Sequence, residues 1–510
     1  MSSPPPPPPP PPHVLLVTVP LQGHVNPLLV LGRRLAATGL LVTFSTVPHA
    51  GLKFQHADGA SEAVGRGTLR FEHLRGGDLW PPNDARYGGS GADVMRHMDE
   101  AAPAALAALL GRGQPAPVSC VVANAFHPWA GRVAAGVGVP HAVLWTESCA
   151  VLSLLYHHLH ALAEFPPAEA GPGAPVAGVP GMPATMAAAD LPGLIHVPEQ
   201  FVWRRLLVAD LRSLGDTVSW VLVNTFGDLE RPALEALRRH LPAVIPVGPL
   251  LVGTAAEGAP DGCMAWLDAQ PRGSVVFVAF GSMVKVSRDE MAELAAGLAA
   301  TGRPFLLVVR DNSREDLLRS GDSDDCLALA AASGGRGKVV AWCEQARVLS
   351  HAAVGCFVTH CGWNSTVEAL ASGVPVVTYP SWADQPTNAK FLDDVFRVGV
   401  RLPKPMARDE LRRCVEAVMS GPEAAAMRAR AAKWKAEAAA ALAAGGSSER
   451  GIQEFVDAAL CSSSSVAATK SSAAADAPRP PHHPHLSPSL LRVSDDHHRE
   501  GGIVAVHAVP

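Results

Sequence analysis

Between Trp342 and Gln385, 44 residues hold a dense set of recognition groups. Trp342 offers a flat aromatic face, with Gln345 close behind it. His360, Asn364 and Ser365 stand at the exit of an apolar run and the mouth of a helix, with Glu368 one turn on. Trp363 lies among them, and Asp384 and Gln385 open the next helix. An indole stacks on a nucleobase, worth roughly 1–3 kcal/mol. A helix start turns unpaired N–H groups and the positive end of its dipole toward an anion. A carboxylate beside an amide accepts from and donates to neighbouring hydroxyls. Base, phosphate and sugar would be met in that order, which reads as a nucleotide-sugar site. Ser365-x-x-Glu368 also fits a capping box, so those two residues have a purely structural reading beside the functional one.

Hydropathy shows the elements that must carry these groups. Residues 13–19 are a continuous apolar run of strand length, as expected for a strand buried on both faces of a parallel sheet. A loop with His24 follows. Asn26 reads as an N-cap with Pro27 at the first helical position, the helix runs to Gly39, and 40–46 is the next strand. Ligands of open α/β sheets gather at the carboxyl ends of strands, where His24 and Ser282 both fall. No G-x-G-x-x-G is present, which weakens a dinucleotide reading. Further strands are expected at 119–123, 141–145 and 220–225, with 150–200 forming loops and short helices around a substrate pocket. The alternation resumes with a strand at 275–280, a helix at 288–300, and strands at 304–309 and 338–341. Two such halves predict two facing Rossmann-like domains with a cleft between them.

Composition bounds the partners. A chain of 510 residues exceeds one ordinary core. A net charge of −5 gives nucleic acid or an anionic membrane surface little to hold. Nine cysteines without a C-x-x-C pair suit reduced, intracellular thiols, and His360–Cys361 lacks flanking ligands at zinc spacing. The N-terminal proline run has neither the basic nor the apolar segment of a signal peptide. No stretch approaches the ~20 apolar residues that span a bilayer. A soluble, cytoplasmic protein with no membrane insertion is expected.

The 44-residue box, with H-C-G-W-N-S at 360–365 as its centre, resembles the C-terminal signature of plant family 1 UDP-dependent glycosyltransferases. G-H-V-N-P at 23–27, F-G-S at 280–282 and G-R-P-F at 302–305 fit the same family, so the resemblance covers nearly all of 13–460. It implies an α/β GT-B fold and sugar transfer with inversion. It also implies no metal and no cofactor beyond the UDP-sugar co-substrate, in a monomer that binds a small aromatic acceptor. The expected organisation is a Pro-rich head (1–12), an N-terminal acceptor-binding domain (13–252) and a linker (253–262). A UDP-sugar-binding domain (263–440), a C-terminal helix within 441–460 packing back on the first domain, and an unstructured tail (461–510) complete it.

Residue by residue, the resemblance assigns Trp342 and Gln345 to the uridine, and Ser282, His360, Asn364 and Ser365 to the diphosphate. Glu368 falls to the ribose, and Trp363, Asp384 and Gln385 to the hexose. A final Gln goes with glucose in this family, so Gln385 favours UDP-glucose. The rival D-x-D pattern at Asp322-Ser323-Asp324 sits in an acidic Gly/Ser-rich loop and reads as a solvated turn. His24 matches the family's general base, worth about 10²–10⁴ in rate for a hydroxyl acceptor. Its usual aspartate partner is Asn124 here, which can hydrogen-bond an imidazole but cannot stabilise imidazolium by charge. A carboxylic acid acceptor is already ionised at cellular pH and would not suffer. The glucose-ester-forming branch resembles this chain at Asn124 and at W-x-x-S-C-A (Trp145 to Ala150). An ester with an aromatic carboxylate is therefore expected, with a phenol, flavonoid or terpenoid glucoside as the alternative and a non-transferring UDP-sugar binder or epimerase as a remote one. Glu147 stands where that branch tends to carry a neutral Gln.

Overall fold

The computed structural model describes residues 11–49, 52, 56–112, 115–241, 243–251, 262–281, 286–310 and 335–459. Ser282, most of the 253–262 linker, Asp322–Asp324, residues 1–10 of the head and the 461–510 tail lie outside the described residues. The first half contains β1 (His13–Val17), α1 (Gln22–Ala37), β2 (Leu41–Thr46), β3 (Ser61–Val64), β4 (Gly67–His73), α2 (Gly91–Gly111) and β5 (Val118–Asn124). It continues with α3 (Pro128–Gly136), β6 (His141–Trp145), α4 (Cys149–Leu159), α5 (Val202–Ser213), β7 (Trp220–Val223), α6 (Arg231–Arg238) and β8 (Val244–Pro246). These strands order as β3-β4-β2-β1-β5-β6-β7-β8, parallel except for the β3–β4 hairpin. β1, β2, β6 and β7 are buried at every position, the state their unbroken apolar runs require.

The second half holds α7 (Gly262–Asp268), β9 (Val275–Ala279), α8 (Arg288–Ala300), β10 (Phe305–Val308), β11 (Gly337–Val340), α9 (Gln345–Leu349) and β12 (Val354–Thr359). Then come α10 (Trp363–Ser372), β13 (Val376–Thr378), α11 (Gln385–Lys390), β14 (Gly399–Arg401), α12 (Arg408–Met419) and α13 (Ala424–Leu442). The strand order β11-β10-β9-β12-β13-β14 is parallel throughout.

Strand order fixes where ligands go. The first sheet reverses its direction of growth between β1 and β5, and the second between β9 and β12. A crevice opens at such a switch, beyond the strands' carboxyl ends. His24 follows β1 and Asn124 ends β5, while Gly281 and His360 follow the second pair. After α13 a helix over 447–459 returns to the first domain. Ile452, Phe455, Val456 and Ala459 are buried there with Trp220, Leu222 and Ile245, and Phe455 meets Trp220 edge-on at 5.6 Å. The Ser448 hydroxyl donates to the Gly248 carbonyl.

One helix start differs from the sequence expectation. α1 begins at Gln22, with extended Leu21 ahead of it, so Asn26 is not its N-cap and Pro27 lies inside the helix. Proline there removes the N–H that would bond the carbonyl four residues back. That carbonyl is Gly23 O, and it finds its partner in the other domain: the Asn364 amide nitrogen donates to it at 3.2 Å.

Candidate active site

The donor side is built on the ends of β9, β10, β11, β12 and β13. Trp342, two residues past β11, is 48% exposed. Gln345 opens α9 and donates from its amide to Ser365 Oγ (2.8 Å) and Glu368 Oε2 (2.7 Å). Burial raises the Glu368 carboxyl to about 7. The capping-box reading of Ser365 and Glu368 fails. The N-cap of α10 is Gly362, and Ser365 is the third residue of the helix, bonded to Gln345 rather than to a backbone amide. The first-turn amides of α10, Asn364 and Ser365 among them, have no carbonyl one turn back to bond and carry the positive end of the dipole.

His360 is clamped edge-on between two glycines. A Cβ on Gly281 or on Gly362 would sit 2.6 Å from its Nε2. Gly281 also takes φ +73°, which a larger residue rarely adopts. Burial and nearby Arg310 push His360 down to about 4, so the ring is neutral. Arg310, two residues past β10, escaped the sequence reading. Its position beyond a strand's carboxyl end was the available signal.

Asp384 and Gln385 belong to one pinned loop. Asp384 Oδ2 accepts from the Trp363 amide (3.0 Å) and from Asn388 Nδ2 (2.6 Å). Gln385 Oε1 accepts from the Ser381 (2.8 Å) and Trp382 (3.3 Å) amides, leaving its NH₂ group for a ligand. The Trp363 indole N–H is committed to the domain junction, donating to Asn224 O at 2.8 Å. The first domain grips this loop as well. Gly193 N donates to Ala383 O (2.7 Å), and Thr387 Oγ1 to Asp190 O (2.7 Å). The Asp190 carboxylate lies 3.6 Å from Lys390 and 3.7 Å from Arg401. No sequence motif announces such a clasp, because half of its bonds are made by main-chain atoms.

His24 sits in the first turns of α1. Its ring lies 6.2 Å from Phe126 and 5.6 Å from His127, centroid to centroid. His127 is fully tied, with Nδ1 on Ala125 O (2.7 Å) and Nε2 accepting from Val19 N (2.9 Å), so it has no capacity left for His24. The hydrogen bond that an asparagine at 124 could make to His24 is not made. His24 Nδ1 and both polar atoms of the Asn124 side chain are buried without a partner among the described residues. Burial lowers His24 to about 4, with no carboxylate opposing the shift. Three of the six left-handed non-glycine residues among the described ones, Phe126, Cys361 and Ala383, sit on loops of this cleft, where backbone strain gathers at functional sites.

Known proteins identify the arrangement. The sequence model described as "UDP-glucoronosyl and UDP-glucosyl transferase" matches residues 213–431. Gallate 1-beta-glucosyltransferase 84A24 of Punica granatum is 39% identical over 469 residues, spanning 87% of this chain and 88% of that protein. The chain belongs to this transferase family. The cinnamate beta-D-glucosyltransferase of Fragaria ananassa is 37% identical to this UDP-glycosyltransferase, over 89% of this chain and 84% of its own length. Among solved structures, Os79 from O. sativa in complex with UDP superposes with TM-score 0.73 at 30% identity, covering 88% of this chain and 100% of that one. Medicago truncatula UGT71G1 complexed with UDP-glucose has TM-score 0.73 over 88% of this chain and 98% of that one, and at 23% identity speaks for the shared GT-B fold alone.

Proposed function

We propose that this transferase moves glucose from UDP-glucose to the carboxylate of a small aromatic acid, giving a 1-O-β-glucose ester. The observation that carries the reading is the isolation of His24. The ring is neutral and has no acidic partner, so it is a weak proton acceptor. A carboxylate needs no proton removed, since it ionises near pH 4–5. One carboxylate oxygen attacks the anomeric carbon as the bond to UDP breaks on the opposite face. The departing diphosphate takes the electron pair toward the α10 amides and Arg310, a preorganised positive site in which neutral His360 can donate a hydrogen bond. Relatives named for gallate and cinnamate support an aromatic acid.

The remaining assignments follow the same geometry. Trp342 stacks on uracil, Glu368 and Gln345 serve the ribose and base, and Asp384 and Gln385 hold the hexose. Ser282 belongs to the diphosphate site by sequence. The positive groups of the cradle do the work a metal would do, so UDP-glucose is the one co-substrate the reaction requires. Both faces of the cleft come from one chain, which supports a working monomer. No helix among the described residues is long and apolar enough to cross a membrane, and the described cysteines are buried, as reduced intracellular thiols would be, which supports a cytoplasmic reaction.

A panel of aromatic acids, phenols and alcohols incubated with UDP-glucose, with products read by mass before and after mild alkali, tests the proposal. Alkali-labile monoglucose products from the acids are expected. Exclusively alkali-stable products would replace the ester reading with hydroxyl glucosylation. For the base platform, Trp342→Ala should weaken UDP binding about 5- to 150-fold, the loss of one stacked base. Calorimetric titration with UDP alone checks this, and unchanged affinity would move the uracil elsewhere.

A further inference from the structure

Residues 172–195 of the first domain form a strap that reaches the second domain just beyond β13. The strap keeps its own shape. Ala189 N donates to Pro172 O (3.0 Å), Ala188 N to Ala174 O (2.8 Å) and Val176 N to Met186 O (3.0 Å). Asp190 Oδ2 accepts from Ala187 N at 3.1 Å, and Met186, Leu191 and Ile195 are buried. Its contacts with the second domain are direct. Gly193 N donates to Ala383 O, Thr387 Oγ1 to Asp190 O and Thr185 Oγ1 to Asp394 Oδ2, each at 2.7 Å. The Asp190 carboxylate adds Lys390 at 3.6 Å and Arg401 at 3.7 Å.

At Gly193 the two backbones touch. A Cβ there would sit 2.8 Å from Ala383 N, so a larger residue would displace main chain rather than a side-chain tip. Ala383 takes φ +55°, a left-handed conformation that a non-glycine residue keeps only where its surroundings hold it. The next two residues are Asp384 and Gln385, whose side chains leave the backbone in directions that Ala383 sets. Two residues further on, Thr387 is fully buried and hangs from the Asp190 carbonyl. Past the end of α11 the chain makes one π-helical turn over Phe391–Val395, and there Asp394 takes the Thr185 hydroxyl. The first domain therefore pins α11 before its start, within its length and after its end. These bonds fall at the hexose end of the cleft. At the uridine end, Gln345, Ser365 and Glu368 bond one another.

We propose that the 172–195 strap is a donor-specificity element, in which Gly193 and the Asp190–Thr387 bond are positioning contacts for hexose recognition. The inference rests on the UDP-glucose reading above, in which the loop after Ala383 meets the hexose. Two epimeric hexoses differ only in the direction of one hydroxyl. Groups fixed in place can tell them apart, because the wrong epimer leaves a buried polar group unpaired. A loop free to shift would follow either sugar and hold both less firmly. By gripping Ala383 and Thr387, the acceptor-side domain makes the hexose loop rigid without touching the sugar. UDP, which lacks the hexose, should be indifferent to the strap. Plain domain adhesion predicts the opposite, an equal change in UDP and UDP-glucose binding.

Calorimetric titration of the full-length protein with UDP, UDP-glucose and UDP-galactose decides the matter, comparing wild type with Gly193→Ala, Thr387→Val and Thr387→Ser. Gly193→Ala and Thr387→Val should each lose about 3- to 10-fold in UDP-glucose affinity, the net worth of one hydrogen bond, with UDP affinity unchanged. Their preference for UDP-glucose over UDP-galactose should narrow as well. Thr387→Ser keeps the hydroxyl and should restore both. Unchanged UDP binding also certifies that a variant is folded, and Thr387→Val carries the test alone should Gly193→Ala not fold. A full hexose gain and an intact sugar preference in the variants would overturn the strap's role. So would equal losses for UDP and UDP-glucose, or a Thr387→Ser variant as weak as Thr387→Val. A wild type that binds UDP-glucose no better than UDP would instead overturn the UDP-glucose reading, and the strap's role with it.

Discussion

His24→Ala should lower kcat about 10²- to 10⁴-fold on a phenol or alcohol while changing turnover of an aromatic carboxylate far less. The difference comes from where the proton is. A hydroxyl acceptor must lose one as it attacks, and His24, held neutral by burial, is the group placed to take it. A carboxylate brings no proton to remove. The same burial that keeps the ring ready also makes it a weak base, and Asn124 leaves it without charge support. Wild type should accordingly favour carboxylates, and the variant should widen that preference. Steady-state rates on a matched acid and phenol sharing one ring system provide the check. Equal losses on the two acceptors would mean that His24 positions substrate rather than accepting a proton.

This contrast turns on the residue where sequence and structure part most usefully. The motif around His24 was legible because a strand-to-helix loop at the carboxyl end of a buried strand has few other uses. The Asn124 substitution was legible as well. What could not be read was whether its amide reaches the imidazole, since that depends on side-chain direction at the end of β5, and it does not reach. The start of α1 was misread for a related reason. Asn-Pro is a strong local signal, but Pro27 is tolerated inside the helix because Asn364 of the other domain takes the carbonyl it frees. Local propensity yielded there to a contact more than 300 residues away in sequence.

The buried strands were recovered because parallel strands covered on both faces show as unbroken apolar runs. The β3–β4 hairpin at the sheet edge escaped. β3 alternates exposed and half-buried positions with a charged residue among them, and no strong apolar run marks it. The helices α4 to α6 were blurred by polar groups that the structure shows at work inside. Asp210 of α5 accepts from His127 N at 3.0 Å, and Glu230 caps α4 from just before α6. From sequence alone these carboxylates look like solvated faces. In three dimensions they fix the loop that carries Phe126 and His127 and the start of α4, which is why a pattern of hydropathy underestimates this part of the fold.

Asp384→Ala is expected to lower kcat/KM for UDP-glucose on the order of 10²- to 10³-fold, the largest donor-side effect in the molecule. Three losses combine. The hexose loses a charged acceptor, worth roughly 1.5–3 kcal/mol. The Trp363 amide at the start of α10 is left buried and unpaired, about 1–3 kcal/mol before relaxation, and the Asn388 amide keeps only its bond to Cys361 O (2.9 Å). The Trp363 amide lies in the first turn of the helix that faces the diphosphate, so UDP itself should also bind more weakly. Asp384→Asn separates the terms. Its carbonyl can still accept from the Trp363 amide, so thermal stability and UDP affinity should largely return, while the lost charge leaves hexose recognition impaired. Melting curves and UDP titrations run beside the kinetics make the distinction. Should Asp384→Asn recover UDP-glucose turnover in full, the carboxylate would be a structural acceptor for α10, and hexose recognition would fall to Gln385.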